Sequence, residues 1–209
     1  MAKTEHPLQA LEQYLPPHTF LPVASYLQQY KVHLTISRSR KTVLGDYRNA
    51  HNNRNHRISV NGNLNQWSFF ITLLHELAHL LTFEKYANRV QAHGREWKQL
   101  FGQLLAQFLE KKVFPADIEA ELFATLHNPA ASSCAEEALM RVLRKYDPKK
   151  EGHMMVEEIP HNHMFRVKGG KVFRKGERLR KRYKCEEIGT QKLYLFSPVF
   201  EVEALGLIL

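Results

Sequence analysis

The chain has 209 residues, of which 44% are hydrophobic and 24% charged, a composition typical of a folded globular protein with a buried core. No segment is apolar for long enough to span a bilayer, and no basic stretch precedes an apolar run at the N-terminus. We therefore expect a soluble, cytoplasmic protein with no membrane partner. The two cysteines, Cys134 and Cys185, are too few for a disulfide framework or a thiolate zinc site.

The net charge of +9 is concentrated in one segment near the C-terminus. This basic segment, from Arg166 to Lys184, contains ten lysines and arginines and one acid, Glu177. Outside it, twenty basic and twenty acidic residues balance. The distribution predicts an anionic partner, such as nucleic acid, for the C-terminal part of the chain and not for the rest.

The beginning of the chain predicts two short helices, or one broken helix, followed by a small sheet. Apolar residues recur at helical spacing over residues 7–30, with a Pro-Pro break between them. Short β-like runs come next and predict a small antiparallel or mixed sheet, and the polar residues 49–55 predict an exposed loop. The predicted strands are residues 32–37, 42–48 and 56–60.

A long buried helix is predicted after the sheet. Asn65 can cap it, and the apolar residues from Trp67 to Leu81 cover nearly its whole circumference. A second long helix, at about residues 94–112, has its apolar residues on one stripe and should pack beside the first. This arrangement predicts a central helix that is surrounded by other elements.

Two shorter helices and a β-rich tail complete the predicted elements. Pro115 opens a helical stretch at residues 118–127, and Ser133 and Glu136 have the spacing of a capping box before a fourth helix. Residues 149–153 resemble a linker, after which alternating runs predict a meander of two or three β-hairpins. The predicted turns are Gly169-Gly170, Lys175-Gly176 and Gly189-Thr190, and the predicted strands include residues 171–174, 178–185 and 193–196.

The sequence HELAH occupies residues 75–79 in the middle of the predicted central helix. Four residues of helix turn through roughly 400° and rise about 6 Å, so His75 and His79 project from one face. Two imidazoles at this spacing can bind one tetrahedral zinc ion, and Glu76 can face a water molecule at the open position. Burying these side chains without partners would cost several kcal/mol, which favours a metal site.

A catalytic zinc site needs a third protein ligand, and His93 is the best candidate. It precedes Gly94 and a new helix, so the intervening chain can turn back and deliver an imidazole from a second element. Glu84 lies at the end of the same helix and would have to fold back across it. Glu96 stays open as an alternative, because other zinc peptidases use a downstream carboxylate.

Three motifs resemble the SprT-like family of zinc metallopeptidases, which is also described as Spartan-related. They are HRISVN at residues 56–61, HELAH at residues 75–79 and HGREW at residues 93–97. The resemblance covers roughly residues 32–112. It implies one catalytic zinc ion with His75, His79 and His93 as ligands and Glu76 as the catalytic residue. The implied fold class is α+β, with a zincin-like core of a small sheet and helices followed by a small antiparallel β module.

The C-terminal part departs from the family pattern. SprT-like proteins usually carry a zinc ribbon built on four cysteines, whereas only Cys185 stands where such a cysteine is expected. We therefore expect residues 1–148 to form the peptidase core with a helical extension, and residues 149–209 to form a basic hairpin module that resembles a degenerate ribbon. A substitute site made of histidines and Cys185 is a weaker alternative, with His153, His161 and His163 as its imidazoles.

The expected activity is zinc-dependent hydrolysis of peptide bonds in a protein or peptide substrate, with Glu76 as general base. An extended substrate is expected along an edge strand at residues 56–61. A second donor to the developing oxyanion is not identified; Tyr47, His56 and Tyr86 are possible by residue type.

The basic segment interleaves cations with aromatic residues on short strands, which favours contact with a phosphate backbone. Similarity to the SprT-like family implies a use for such contact, namely bringing the peptidase to DNA-bound or DNA-crosslinked proteins. The alternative function is a non-catalytic nucleic-acid-binding or adaptor protein that keeps a structural zinc site. The expected contacts are Arg166, Lys168, Lys171, Arg174, Lys175, Arg178, Arg180 and Arg182.

Overall fold

The computed structural model describes residues 7–40, 43–130 and 136–206. The predicted strand start at Thr42, the capping residue Ser133 and Cys134 lie outside these ranges. The chain divides into two compact units, Met1–Asp147 and Pro148–Leu209. Since it combines helices with a small mixed sheet and a larger antiparallel one, the protein is of the α+β class.

The first unit begins with a 3-10 helix at Leu8–Tyr14 and then alternates helices with a small sheet. Its helices are α1 (Phe20–Gln29), α2 (Gln66–Tyr86), α3 (Arg95–Glu110), α4 (Ala116–Thr125) and α5 (Glu137–Arg144). Its strands are β1 (His33–Ser37), β2 (Gly45–Arg48) and β3 (Arg57–Asn61). The pattern follows the predicted order of elements, with boundaries that differ by a few residues.

The three strands form a mixed sheet with the order β1-β3-β2. β1 runs parallel to β3, whereas β2 runs antiparallel to it. The expectation of an edge strand at residues 56–61 is therefore wrong, because β3 is hydrogen-bonded on both sides. Strands that follow each other in the chain are often neighbours, but β3 lies between β1 and β2 in the sheet, and periodicity alone does not reveal this order.

Helix α2 lies at the centre of the first hydrophobic core. Its apolar side chains from Phe69 to Leu80 are almost completely buried, as expected for a helix that is apolar on all sides. Asn65 caps the helix as predicted, since its side-chain oxygen accepts a hydrogen bond from the Ser68 amide at 2.9 Å. Helix α3 packs against α2 and contributes Trp97, Phe101 and Phe108 to the same core.

The second unit is an antiparallel sheet with its own small core. Strands β5 to β8 form three successive hairpins, and β9 returns to pair with both β4 and β5. The buried side chains include Val156, Phe165, Phe173 and Val202. The strands are β4 (His153–Met155), β5 (Met164–Arg166), β6 (Val172–Leu179), β7 (Arg182–Glu187), β8 (Leu193–Phe196) and β9 (Glu201–Leu205).

The predicted turn at Lys175-Gly176 is wrong, because both residues lie inside strand β6. The pairing register between β6 and β7 shifts between Lys175 and Arg178, so this glycine marks a β-bulge. A side chain on Gly176 would overlap the carbonyl oxygen of Lys184 on the neighbouring strand, which explains the glycine. The chain reverses instead at Arg180, within the run predicted as one strand.

We expect Asn65→Ala to lower the free energy of unfolding of the first unit by about 1 kcal/mol, because the substitution removes the cap of α2. Both tryptophans, Trp67 and Trp97, belong to this unit, so urea unfolding followed by tryptophan fluorescence reports on it. Asn63→Ala is a matched control at an exposed turn position. Equal unfolding midpoints for the two variants would contradict the role of the cap.

Candidate metal centre

Three imidazoles converge between helices α2 and α3. His75 and His79 project from adjacent turns of α2, and His93 lies immediately before Gly94, the N-cap of α3. The Nε2 atom of His75 is 3.2 Å from that of His79 and 3.4 Å from that of His93. One ligand atom from each residue lies within 4.8 Å of the others, so this histidine cluster could hold a metal ion.

The spacing of the nitrogen atoms fits a tetrahedral ion. Nitrogen ligands about 2.1 Å from a tetrahedral zinc are roughly 3.4 Å apart, close to the distances that separate these Nε2 atoms. Burial lowers the pKa of His75 to about 3 and that of His79 to about 4, with neighbouring imidazoles adding to the effect. Both side chains are therefore neutral at physiological pH, which is the form that binds a metal.

The loop between the two helices delivers His93. Helix α2 ends at Tyr86, where Ala87 adopts a positive φ of 52°, and a short loop follows up to Gly94. The nearest atoms to a side chain added at this glycine belong to Gln91 and Glu96, which lie in its own loop and helix.

Trp97 forms one wall of the histidine cluster, which the sequence analysis did not foresee. Its fully buried ring lies 4.6 Å from the ring of His75, 5.2 Å from that of His79 and 4.8 Å from that of His93, between centroids. The aromatic wall restricts the orientations open to all three imidazoles. The signal was available, since Trp97 lies four residues after His93 on the apolar stripe of the predicted helix.

Glu76 is buried beside the cluster, with 5% of its surface exposed. Burial, together with the charge of nearby Asp46, raises its pKa to about 8, and Arg40 opposes this effect. Strand β2 passes directly over the carboxyl group, because a side chain on Gly45 would overlap Glu76 Oε1 and lie 2.8 Å from Thr72. Glycine at position 45 therefore permits the close approach of strand and carboxylate.

The histidine cluster and Glu76 open into a cavity of about 580 Å³. One side of this cavity is formed by strand β2 and the other by the end of α2 and the loop before α3. The lining residues include Gly45, Asp46, Tyr47, Thr82, Phe83 and Gln91. A cavity of this size, with convergent polar groups on its wall, is an arrangement suited to binding a ligand.

The other candidate ligands lie elsewhere. Glu84 Oε1 is 3.2 Å from His56 Nε2, and neither Glu84 nor Glu96 joins the three histidines. Within residues 7–40, 43–130 and 136–206, no second group of metal ligands is found. The alternative site of three histidines with Cys185 is therefore wrong; Cys185 is a buried free thiol in the second core.

Of the three proposed oxyanion donors, only Tyr47 lines the cavity. His56 is buried, and its Nδ1 atom accepts a hydrogen bond from the Tyr47 hydroxyl group at 2.9 Å. Burial raises the pKa of Tyr47, and the nearby Glu84 adds to the effect, so the phenol keeps its proton. Tyr86 lies at the last residue of α2, where Lys85 sits over its ring.

The predicted nucleic-acid contacts differ in their environments. The prediction of Lys175 as a contact is wrong. This residue is 5% exposed, and its ammonium group donates hydrogen bonds to the carbonyl oxygens of Glu157 and Ile159. Arg166 binds Glu203 at 3.0 Å and Lys171 binds Glu187 at 2.8 Å, so both are engaged within the second unit. The remaining candidates are exposed, namely Lys168, Arg174, Arg178, Arg180 and Arg182.

The fold and the site define an α+β protein whose central helix carries a histidine cluster suited to a metal ion. The model of the SprT-like family matches residues 18–119, so this part of the chain is similar to that family. The similarity suggests a metallopeptidase-type function, and zinc is typical of the family. Comparison with curated proteins and with solved structures gave no match. No helix in the described ranges has the length and hydropathy needed to cross a membrane.

The opposite pKa shifts predict how the stability of the metal-free protein depends on pH. An imidazole in the unfolded chain titrates near pH 6.5, whereas His75 and His79 stay neutral in the folded protein well below this pH. The unfolded state therefore binds more protons below pH 6.5, and the free energy of unfolding decreases there. Folded Glu76 keeps its proton up to about pH 8, whereas the unfolded carboxyl loses it near 4.5, so its contribution falls as pH rises across this range. We expect maximal stability near pH 6.5.

Urea unfolding of the metal-free protein between pH 4.5 and 8.5, followed by tryptophan fluorescence, would measure this dependence. Glu76→Gln is the informative variant, because it removes only the carboxyl titration. We expect the free energy of unfolding of the wild type, relative to this variant, to decrease steadily from pH 4.5 to 8. A difference that stays constant over this range would show that Glu76 is not protonated in the folded state.

Proposed function

We propose that the protein is a zinc-dependent metallopeptidase with a zincin-like core and the HExxH sequence on its central helix. The observation that carries the proposal is the convergence of three imidazole nitrogens beside one buried carboxylate in an open cavity. His75, His79 and His93 would hold the zinc ion, and Glu76 would act as general base. Similarity to the SprT-like family supports the same assignment.

Zinc, when bound, supplies a Lewis acid that polarises a carbonyl oxygen and lowers the pKa of a bound water. The residues of the chain perform the proton transfers. The Glu76 carboxylate would accept a proton from the attacking water and return it to the leaving amine nitrogen. A cation held by the histidine cluster would favour the ionised form of Glu76. The carboxyl group that is protonated in the metal-free protein would then be a carboxylate that can accept a proton.

An extended substrate would bind along strand β2. This strand pairs with β3 on one side only among the described strands, and its residues Gly45, Asp46 and Tyr47 line the cavity. A peptide that adds a strand at such an edge is held mainly by backbone hydrogen bonds, so its sequence is read weakly. Glycine at position 45 lets this strand lie against Glu76, so a peptide bound at the strand edge would come close to the carboxylate.

We expect Glu76→Gln to bind one zinc ion per chain and to cleave casein at least 100-fold more slowly than the wild type, because it keeps the ligands and removes the general base. His93→Ala is expected to lose the zinc ion. Glu96→Gln is the matched control, since this carboxylate is outside the cluster, and it should retain both metal and activity. Metal analysis of the purified proteins and a casein-cleavage assay measure these outcomes.

Casein cleavage by Glu76→Gln at the wild-type rate would contradict the peptidase proposal. No casein cleavage by the zinc-loaded wild type would favour the alternative, in which zinc is structural and the protein acts as an adaptor.

We also propose that the second unit binds DNA and brings the peptidase to DNA-bound or DNA-crosslinked proteins. The support is a group of exposed cations on the β6–β7 hairpin, Arg178, Arg180 and Arg182, which have no ion-pair partner among the described residues. Tyr183 on the same hairpin is half-buried, with the Arg178 guanidinium 5.9 Å from its ring centroid. Exposed arginines of this kind bind phosphate groups without reading sequence.

We expect the triple variant Arg178→Ala, Arg180→Ala and Arg182→Ala to bind a duplex oligonucleotide more weakly and with a smaller dependence on salt. Each phosphate contact contributes about 0.9 to the slope of log affinity against log salt, so loss of all three should reduce the slope by about 2 to 3. Lys171→Ala is the control, because this lysine is paired with Glu187. An unchanged slope in the triple variant, measured by fluorescence anisotropy, would exclude this surface.

A further inference from the structure

Three side chains beside the cavity form a hydrogen-bonded series. Glu84 Oε1 lies 3.2 Å from His56 Nε2, and His56 Nδ1 lies 2.9 Å from the hydroxyl group of Tyr47. The ring of Tyr47 is nearly parallel to that of His79, at 6° and 6.3 Å between centroids. This hydrogen-bonded series therefore connects a half-exposed carboxylate, through a buried imidazole, to a phenol beside the histidine cluster.

The backbone fixes which nitrogen of His56 carries the proton. The amide of Ala50 points at His56 Nδ1 from 3.2 Å, and a backbone N–H group can only donate. His56 Nδ1 must therefore accept, and its Nε2–H group donates to Glu84. As a consequence, the hydroxyl group of Tyr47 donates to Nδ1, so two donors share one acceptor nitrogen.

This sharing makes the phenolic proton available to a stronger acceptor. If the hydroxyl group turns away, the Ala50 amide still satisfies His56 Nδ1, so no buried polar atom is left without a partner. A neutral carbonyl oxygen competes poorly with an imidazole nitrogen for this proton, whereas an oxygen that gains negative charge competes well. A hydrogen bond from Tyr47 would therefore form mainly in the transition state, where it lowers the barrier.

We propose that Tyr47 is a catalytic residue that donates a hydrogen bond to the developing oxyanion of the scissile carbonyl group, and that His56 and Glu84 are positioning residues that hold it. The inference rests on the proposed peptidase function. Of the three residues in the hydrogen-bonded series, Tyr47 lines the cavity together with Glu76 and His79. His56 is 6% exposed and acts through Tyr47.

The first test compares zinc-loaded wild type with Tyr47→Phe, which keeps the ring and removes the hydroxyl group. We expect kcat for casein cleavage to fall about 100-fold, the usual effect of losing one oxyanion donor, with KM and zinc content unchanged. Glu84→Ala should lower kcat by a smaller factor, because it only loosens His56. Tyr86→Phe is the matched control and should behave as the wild type, since Tyr86 does not line the cavity.

A second test does not depend on turnover. A phosphinic tripeptide carries a tetrahedral, negatively charged group in place of the scissile amide, and calorimetry gives its affinity for each zinc-loaded protein. We expect Tyr47→Phe to bind this compound at least 10-fold more weakly than the wild type, while the amide of the same sequence binds both proteins equally. Equal affinity of the phosphinic tripeptide for the two proteins, including no binding to either, overturns the role of Tyr47.

The two tests separate this inference from the proposed function. A wild type that fails to cleave casein contradicts the peptidase, while the phosphinic tripeptide still decides whether Tyr47 recognises a tetrahedral anion. A wild type that cleaves casein no faster than Tyr47→Phe, with Glu76→Gln inactive, overturns the role of Tyr47 alone.

Discussion

The first unit is organised around the cost of burying two imidazoles and a carboxylate in an apolar helix. His75 and Glu76 are 4% and 5% exposed in the middle of α2, surrounded by leucines and aromatic rings. Without a compensating partner, such groups would destabilise the core by several kcal/mol. His75 and Glu76 are surrounded by the third imidazole from the loop, the ring of Trp97 and the cavity. The neighbouring elements are therefore arranged around these two buried groups.

The same burial gives the site its chemistry. Low polarity keeps the imidazoles neutral and ready to coordinate, and it keeps the carboxyl group of the metal-free protein protonated. A divalent cation in the histidine cluster would reverse the second effect, because it favours a negative charge on Glu76. Under the proposed function, binding of the ion would therefore also convert the protonated Glu76 carboxyl group into the carboxylate that acts as base.

The parts of the site that could be predicted from sequence were local. HELAH fixes the face of α2 by helix geometry, and the glycine after His93 marks the start of α3. What could not be predicted depends on strand order. Once β3 occupies the centre of the sheet, β2 becomes the edge that passes over Glu76, and Tyr47 meets a histidine nine residues away. Hydrophobic periodicity contains no information about such neighbours.

The second unit shows how charge composition can mislead about position. Lys175 belongs to a run of mostly exposed cations, yet it lies two residues after buried Phe173 on the same strand and pairs with buried Cys185, so its side chain faces the core. The charge pattern alone indicated an exposed residue. Its Nζ atom also lies 4.1 Å from the ring centroid of Tyr183, which provides a favourable environment for a buried cation.

The buried ammonium group of Lys175 has a consequence for how the two units depend on their surroundings. It ties strand β6 to the 3-10 turn at Val156–Glu158 and to Ile159, so an internal cation, built into the polypeptide, cross-links the C-terminal sheet. A chelator cannot extract such a cation. If the histidine cluster holds zinc as proposed, removal of the metal would change the first unit and leave these contacts of the C-terminal sheet in place.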